Sequence, residues 1–375
     1  MSKEISLNKI SDLTKKLSND KHVKILRNAM IRTDSNELSM NWDEYRKIDH
    51  SFSNVISGEM PATNQKSSGR CWGFAGLNLF RVYLGRKHNL KNFEFSQSYF
   101  MFWDKLEKAN YFLESIIDTI SEKSDSRIVM HLLSYPLEDG GQWDMWVNLI
   151  NKYGVLPQTE MSESFSTSQS AQMNKMISNK LREYASELRN FHKNGESLEK
   201  LRELKDKMIE EVFKMLSMHI GTPPQTFDWQ VRNKDKKFLR FENLTPQSFF
   251  KEHVALNLED YVCLINCPMK DKEYNKVYTV EHLGNVIEGR NIRYLNVTSK
   301  EMKDASIKSI KDDNPVWFGC DVGKYFHRNL GVMDTNLFDY NSFYDSEFKM
   351  NKAQRLEYGQ SMMTHAMLFT GVDLD

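Results

Sequence analysis

The chain has 375 residues, and 51 Lys plus Arg are balanced by 51 Asp plus Glu, so its formal net charge is zero with neutral histidine. This balance excludes a strongly basic nucleic-acid-binding protein or an acidic tail protein as a description of the whole chain. The 40% share of hydrophobic residues excludes a chain that is disordered throughout.

Residues 1–60 predict an N-terminal arm that is first helical and then irregular. The spacing of Ile5, Ile10, Leu13 and Leu17 is typical of an amphipathic helix. Acidic residues at the start argue against a signal peptide, and no apolar run reaches the roughly 18 residues of a membrane span. The absence of such a run also predicts no membrane partner. Because the chain has only four cysteines, we expect a reducing, cytoplasmic location.

Residues 61–160 predict a helical lobe that carries the most reactive candidate residue. A polar, turn-rich run at 61–70 leads directly into Cys71. Trp72, Ala75 and Leu79 then recur at helical spacing, which predicts a core-facing helix that begins near Cys71. A second helix should follow Ser96, whose hydroxyl is a good N-cap.

Residues 161–220 predict a helical insertion. Between Met161 and Ile220 the chain has no proline and a single glycine, Gly195, and charges of both signs are interspersed. This pattern indicates two long helices that turn at Asn194 and Gly195. The segment is either an inserted interaction element or an ordinary solvated helical hairpin, and the pattern alone favours the hairpin.

Residues 221–375 predict a β-rich lobe. Short runs rich in β-branched and aromatic residues occur there, at 261–267, 277–280, 292–297, 315–320 and 366–372. Helices first and strands later indicate an α+β protein with two segregated lobes.

Cys71 is a candidate nucleophile because it lies at a predicted helix start, where the helix dipole lowers a thiol pKa. Arg70 would add positive charge beside it. Acyl transfer also needs donors for the developing oxyanion, and the Gln65 amide and the Cys71 backbone N–H could supply them. The alternative is a buried, inert cysteine. The Gln-x5-Cys-Trp arrangement favours the nucleophile.

A cysteine nucleophile needs a base, usually histidine. Among ten histidines, His365 stands apart because it opens an apolar strand at the edge of a core. A histidine in that position is more often structural, so its position leaves both roles open. Cys263 and Cys267 lack a second ligand pair at zinc-finger spacing, so we expect no metal site and no cofactor.

Several segments in family order resemble the bleomycin hydrolase and aminopeptidase C branch of the papain-like cysteine peptidases. The segment QKSSGRCW at 65–72 resembles the nucleophile loop of that branch, and Ser68 replaces a cysteine that papain and the cathepsins use in a disulfide. The other similar segments are 95–99, 102–110, 139–143, 221–224, 283–285, 315–324 and 363–367.

The resemblance implies a papain-like two-lobed fold with a helical insertion and a cleft between the lobes. It implies that Cys71 is the nucleophile, His365 the general base and Gln65 the oxyanion donor. Gly140 and Gly141 match the family's glycine pair beside the cleft, where bare backbone can pair with a substrate strand. It further implies peptide substrates and a homohexamer whose N-terminal arms reach neighbouring subunits. Nucleic-acid binding, which is attributed to the family, is neither predicted nor excluded by a net charge of zero.

One departure concerns the residue that orients the histidine. The family has an Asn-Ser-Trp-Gly motif downstream of that histidine, whereas residues 366–375 contain no asparagine. The sequence therefore predicts a family member that lacks its C-terminal part. We expect a cytosolic cysteine aminopeptidase, and the alternative is a catalytically disabled homologue that binds peptides or assembles. A lysosomal protease is disfavoured by Ser68 and by the start of the chain.

Overall fold

A computed structural model describes residues 3–374. Helices dominate the first two thirds of the chain. The α-helices are α1 (Leu7–Ser18), α2 (Lys21–Met30), α3 (Ser35–Leu38), α4 (Trp42–Tyr45), α5 (Cys71–His88), α6 (Gln97–Asp118), α7 (Arg127–Ser134), α8 (Trp143–Tyr153), α9 (Phe165–Ser168), α10 (Ala171–Lys193), α11 (Leu198–Ile220), α12 (Pro246–Phe249), α13 (Ser299–Lys311), α14 (Tyr340–Tyr344) and α15 (Lys352–Glu357).

The strands are short and mostly follow the helices. They are β1 (Asn54–Val55), β2 (Phe227–Arg232), β3 (Phe238–Leu244), β4 (Cys263–Ile265), β5 (Val277–Tyr278), β6 (Tyr294–Asn296), β7 (Val316–Cys320), β8 (Phe326–His327), β9 (Val332–Met333), β10 (His365–Phe369) and β11 (Gly371–Val372). The pairs β1–β11, β2–β3, β5–β6, β7–β10 and β8–β9 are antiparallel, and β4–β6 is parallel.

The structure confirms the predicted helices around the nucleophile and in the insertion. Helix α5 begins at Cys71, and the Ser96 hydroxyl caps α6 by accepting a hydrogen bond from the Tyr99 N–H at 3.0 Å. The two long helices α10 and α11 are joined by a turn that contains Gly195 at φ +88°. The glycine suits this turn because a side chain is strained at positive φ.

The predicted strands also form, and a further hairpin forms that the sequence pattern did not indicate. Strands β2 and β3 pair across the basic stretch near Arg232, which lies outside the runs that predict strands. Trp229 on β2 is buried and stacks on Phe241 of β3 with ring centroids 5.3 Å apart. This aromatic pair, which lies on one face of the hairpin, stabilises strands whose intervening sequence is strongly charged.

The chain forms two compact units. The larger unit comprises Phe52–Cys320 and the residues after Arg355, and its core lies around helix α5. Leu79, Phe80 and Leu84 of α5 are fully buried, and the Phe80 ring lies 4.6 Å from that of Trp146 on α8. A helix that is apolar on most of its faces must be covered on all sides, which fixes the position of its first residue.

The smaller unit comprises the residues before Phe52 together with Asp321–Arg355. Its core contains Met40, Val332, Leu337 and Phe338. Helices α1 and α2 have no buried residues, and apolar side chains such as Leu7 are exposed to solvent. In residues 3–374, no helix has the length and apolar character needed to cross a membrane.

Candidate active site

Cys71 is the first residue of α5, directly after the irregular loop of residues 61–70. Arg70 is the N-cap residue, and its side chain makes no capping hydrogen bond. The Cys71 thiol is half-buried, and its sulfur lies 4.0 Å from the Gly69 carbonyl oxygen. The first N–H groups of a helix have no partner within the helix, so this position leaves backbone donors next to the sulfur.

Strand β10 reaches the same point of the fold. Ala366 on β10 belongs to the buried core against which Cys71 packs, and its backbone N–H acts to lower the Cys71 pKa. The residue after His365 therefore lies near the nucleophile candidate. Strand β10 pairs with β7, where His365 lies opposite Cys320. Strand β7 is in turn joined to the start of α5, since the Trp317 indole N–H donates to the Trp72 carbonyl oxygen at 3.0 Å.

The electrostatics of the thiol differ from the sequence expectation. Burial raises the pKa of Cys71 above the ordinary value of 9.0, and the Asp139 carboxylate raises it further. The backbone N–H groups of Ala366, Trp72 and Cys71 itself lower the pKa, but the net change is upward. Arg70 supplies no free charge, since it is 2% exposed and pairs with Glu163. Burial thus opposes ionisation of the thiol, and a neighbouring base would favour loss of its proton.

Gln65 lies on the loop that enters the helix, and this loop holds its side chain. The Gln65 Nε2 donates to the Ser68 carbonyl oxygen at 2.5 Å. The Ser68 hydroxyl donates to the Gln65 carbonyl oxygen at 2.7 Å. A primary amide has two N–H bonds, so one of them anchors the side chain and the second can serve another acceptor.

The two glycines at 140 and 141 have different surroundings. A Cβ on Gly141 would come within 2.6 Å of the Trp72 ring, so packing requires a glycine there. A Cβ on Gly140 would meet nothing within 4 Å. The Gly140 carbonyl oxygen accepts a hydrogen bond from the Lys108 ammonium at 2.6 Å. Gly140 thus has open space beside a backbone segment that is held firmly.

Asp139 joins the glycine segment to the nucleophile loop. Its carboxylate accepts from the Gly69 N–H at 2.9 Å, and the fully buried Lys105 ammonium lies 2.5 Å away. Ser170 and Asn174 donate to the same carboxylate at 2.5 and 2.6 Å. Burial acts to raise the pKa of Asp139, but Lys105 and these donors hold it well below the ordinary range. Asp139 is therefore ionised and fixes Gly69, two residues before Cys71.

Replacing Asp139 with asparagine should lower the free energy of unfolding by about 3–5 kcal/mol, because the substitution leaves the buried Lys105 ammonium without its counter-charge. Urea denaturation measures this change. The control is Asp206→Asn, because Asp206 is 74% exposed and lies 3.7 Å from Lys205. The control should change stability by no more than about 0.5 kcal/mol.

The charge on Asp139 should also make the folded state sensitive to acid. Because the pKa of Asp139 is lowered in the folded state, its charge stabilises the fold at pH values above 3.8, the ordinary carboxyl pKa. This stabilisation is lost as the pH falls below that value. The stability of Asp139→Asn should thus fall less steeply with acid than that of the unchanged protein. Equal slopes, or an Asp139→Asn protein as stable as the control, would contradict the role of Asp139.

Asp139 and Glu163 were not predicted to support the site, and Arg70 was predicted to add positive charge beside Cys71 and not to pair with a carboxylate. Asp139 belongs to the segment 139–143 on which the family resemblance rested, so its signal was present. Glu163 lies in a polar stretch before α9. Nothing in the nearby sequence indicates its role, because its partner Arg70 is 93 positions away.

Comparisons with known proteins identify the family of this chain. The model of the peptidase C1-like family matches residues 4–375. The chain is 42% identical to bleomycin hydrolase of Homo sapiens over 370 residues, which cover 97% of this chain and 81% of the relative. It is 42% identical to aminopeptidase C of Listeria innocua serovar 6a over 374 residues, which cover 100% of this chain and 84% of the relative.

A solved structure has a similar fold. The crystal structure of PepW from Lactobacillus rhamnosis HN001 matches with a TM-score of 0.97 and 42% identity, and the match covers 100% of this chain and 84% of that one. This similarity confirms the predicted α+β, papain-like fold. The chain therefore belongs to the peptidase C1-like family, on its bleomycin hydrolase and aminopeptidase C branch, and is a cysteine-type peptidase.

Proposed function

We propose that this peptidase is an aminopeptidase that removes residues from peptides with a free amino terminus, with Cys71 as nucleophile and His365 as general base. The observation that carries these roles is the packing of Cys71 against the core that contains Ala366, whose backbone N–H acts to lower the Cys71 pKa, because Ala366 directly follows His365. The relatives, named bleomycin hydrolase and aminopeptidase C, support the same activity.

Proton transfer begins the reaction in this proposal. The Cys71 pKa is raised by burial, so the thiol must lose its proton as it attacks. His365 accepts that proton, and the sulfur forms a bond to the scissile carbonyl carbon. His365 then gives the proton to the departing amine as the C–N bond breaks, which leaves an acyl group on the sulfur. Water, deprotonated by His365, displaces the thiolate and releases the acid.

The tetrahedral intermediate carries a negative oxygen that needs fixed donors. The Cys71 backbone N–H lies at the start of α5, and Gln65 is held on the adjoining loop by its bond to Ser68. Two fixed donors at this position would stabilise the oxyanion without reorganisation during the reaction. Gly140, with open space beside its backbone, is the proposed contact for the substrate chain next to Gly141.

Replacing Gln65 with alanine should lower kcat about 10²- to 10³-fold, the usual loss when one oxyanion donor is removed. Steady-state cleavage of an aminoacyl fluorogenic substrate measures the effect. The control is Gln230→Ala, because Gln230 is exposed on β2, away from the nucleophile loop. A loss of less than about fivefold with Gln65→Ala would exclude Gln65 as the donor.

We also propose that the chain assembles with copies of itself, as a hexamer, in the cytoplasm. Helices α1 and α2 support assembly because they have no buried residues, and Leu7, Ile25 and Ile31 are largely exposed. Light scattering should therefore give a mass of about six chains at micromolar concentration. Leu7→Lys combined with Ile25→Lys should lower that mass, and a monomeric unchanged protein would contradict the proposal.

A further inference from the structure

We propose that Glu163, Arg70 and Ser68 form a positioning relay that sets the geometry of the Gln65 amide. The relay rests on the proposed function, since it assigns a purpose to the loop that carries the oxyanion donor. None of the three residues needs to touch the substrate. Each link is a hydrogen bond between neighbouring groups of the larger unit.

The first link is an ion pair in which Arg70 is buried and the Glu163 side chain is 25% exposed. Arg70 Nη1 and Nη2 donate to Glu163 Oε1 and Oε2 at 2.9 and 2.7 Å, a two-bond geometry that fixes both planes. Ser98 and Thr167 also donate to the Glu163 carboxylate, at 3.0 and 2.9 Å. Burial acts to raise the Glu163 pKa, but Arg70 and these hydroxyls keep it below the ordinary value. The carboxylate therefore stays charged and keeps one orientation.

The second link passes from Arg70 to Ser68. Arg70 Nε donates to the Ser68 hydroxyl oxygen at 2.9 Å. A guanidinium cannot accept, and a hydroxyl has a single proton, so the Ser68 proton must point elsewhere. It points to the Gln65 carbonyl oxygen at 2.7 Å. Arg70 thus determines the direction in which Ser68 donates.

The third link ends at the amide itself. Ser68 fixes the Gln65 backbone through the hydroxyl and the Gln65 side chain through its carbonyl oxygen, at 2.5 Å. Both ends of Gln65 are held by one residue, so the direction of the second amide N–H follows from the position of Ser68. The loop is also tied to the Glu163 segment by the bond from the Ser67 N–H to the Ser168 carbonyl oxygen at 3.0 Å.

A stabilising role alone does not account for this arrangement. A buried ion pair usually contributes little net stability compared with apolar residues of the same size, because both charges lose their hydration. What the ion pair supplies instead is a fixed orientation of the Arg70 and Glu163 side chains. Small displacements of a catalytic group can cost about 10²-fold in rate, so a fixed orientation of Gln65 matters most for the chemical step.

The relay is tested with Ser68→Ala, which removes the hydroxyl's bonds to Arg70 and to the Gln65 carbonyl oxygen. The variant keeps the bond from the Gln65 amide to the backbone carbonyl of residue 68, and it keeps the Arg70–Glu163 pair. We expect kcat to fall between about 5- and 100-fold, less than the loss of the donor itself. KM should change by less than about twofold, because Gln65 acts on the oxyanion and not on the bound substrate. The control is Ser162→Ala, which removes an exposed hydroxyl one residue before Glu163.

The double variant distinguishes positioning from general damage. If Ser68 acts through Gln65, then Ser68→Ala combined with Gln65→Ala should be no slower than Gln65→Ala alone. Glu163→Gln should also lower kcat in the unchanged background and should have no further effect in the Gln65→Ala background. Melting temperatures of all variants identify any loss of folded protein.

Each outcome decides the proposal. Multiplied losses in the double variant, or an unchanged kcat in Ser68→Ala, would overturn the relay while Cys71-dependent cleavage still supports the proposed function. Absence of Cys71-dependent cleavage in the unchanged protein would overturn the proposed function and the relay together. If Ser68→Ala lowers kcat in the unchanged background but has no effect in the Gln65→Ala background, both the relay and the proposed function are supported.

Discussion

Replacing Cys71 with alanine should abolish peptide cleavage. The proposed route forms a bond between the Cys71 sulfur and the substrate carbonyl carbon, and alanine has no group that can replace it. Backbone donors and bound substrate would remain, so any residual rate should resemble weak catalysis without a nucleophile. Turnover of an aminoacyl fluorogenic substrate, measured at equal concentrations of folded protein, gives the result.

Cys267→Ser is the matched control for this substitution, because Cys267 is also half-buried but lies after β4. Cys267→Ser should retain the turnover of the unchanged protein. Retained turnover in Cys71→Ala would assign the nucleophile to another residue. Loss of turnover in both variants would indicate general damage and not a specific role for Cys71.

Replacing His365 with alanine should lower kcat by about 10²- to 10⁴-fold, the range typical of a general acid–base residue. The raised pKa of Cys71 makes this dependence strong, since burial keeps the thiol protonated when no base is present. His131→Ala is the control, because His131 lies in the last turn of α7 and is exposed. Equal kinetics for His365→Ala and the control would exclude His365 as the base.

The His365→Ala variant should also change how the reactivity of Cys71 depends on pH. Without His365, the rate of Cys71 alkylation by iodoacetamide should keep rising as the pH is raised past 9.0, the ordinary thiol pKa. The reason is that burial raises the pKa of Cys71. In the unchanged protein, proton transfer to His365 should allow alkylation at a lower pH. Matching pH profiles for the two proteins would show that the imidazole takes no part in forming the thiolate.

The helical frame around Cys71 was predictable because its signals are local. The turn-rich run before Cys71, the apolar spacing after it and the Ser96 cap each lie within a few residues of the element that they define. The family segments added the long-range order that periodicity cannot supply. Together they predicted the fold class and the start of α5 correctly.

The partners of the supporting charges were not predictable, because they are distant in sequence. Arg70 appeared to be a free positive charge beside the nucleophile, but the fold gives it a carboxylate 93 residues away. Asp139 reaches Gly69 across 70 residues. The raised pKa of Cys71 has the same origin, since burial depends on how α5 packs against β10 and not on the sequence around the thiol.

In this chain, the fold should hold Cys71 as a reactive thiol. Intact-mass analysis after incubation with an epoxysuccinyl inhibitor of cysteine peptidases tests it directly, with Cys71→Ser as the control. We expect a single adduct on the unchanged protein, located at Cys71 by peptide mapping, and none on Cys71→Ser. The absence of an adduct on folded protein, or an equal adduct on Cys71→Ser, would contradict the claim.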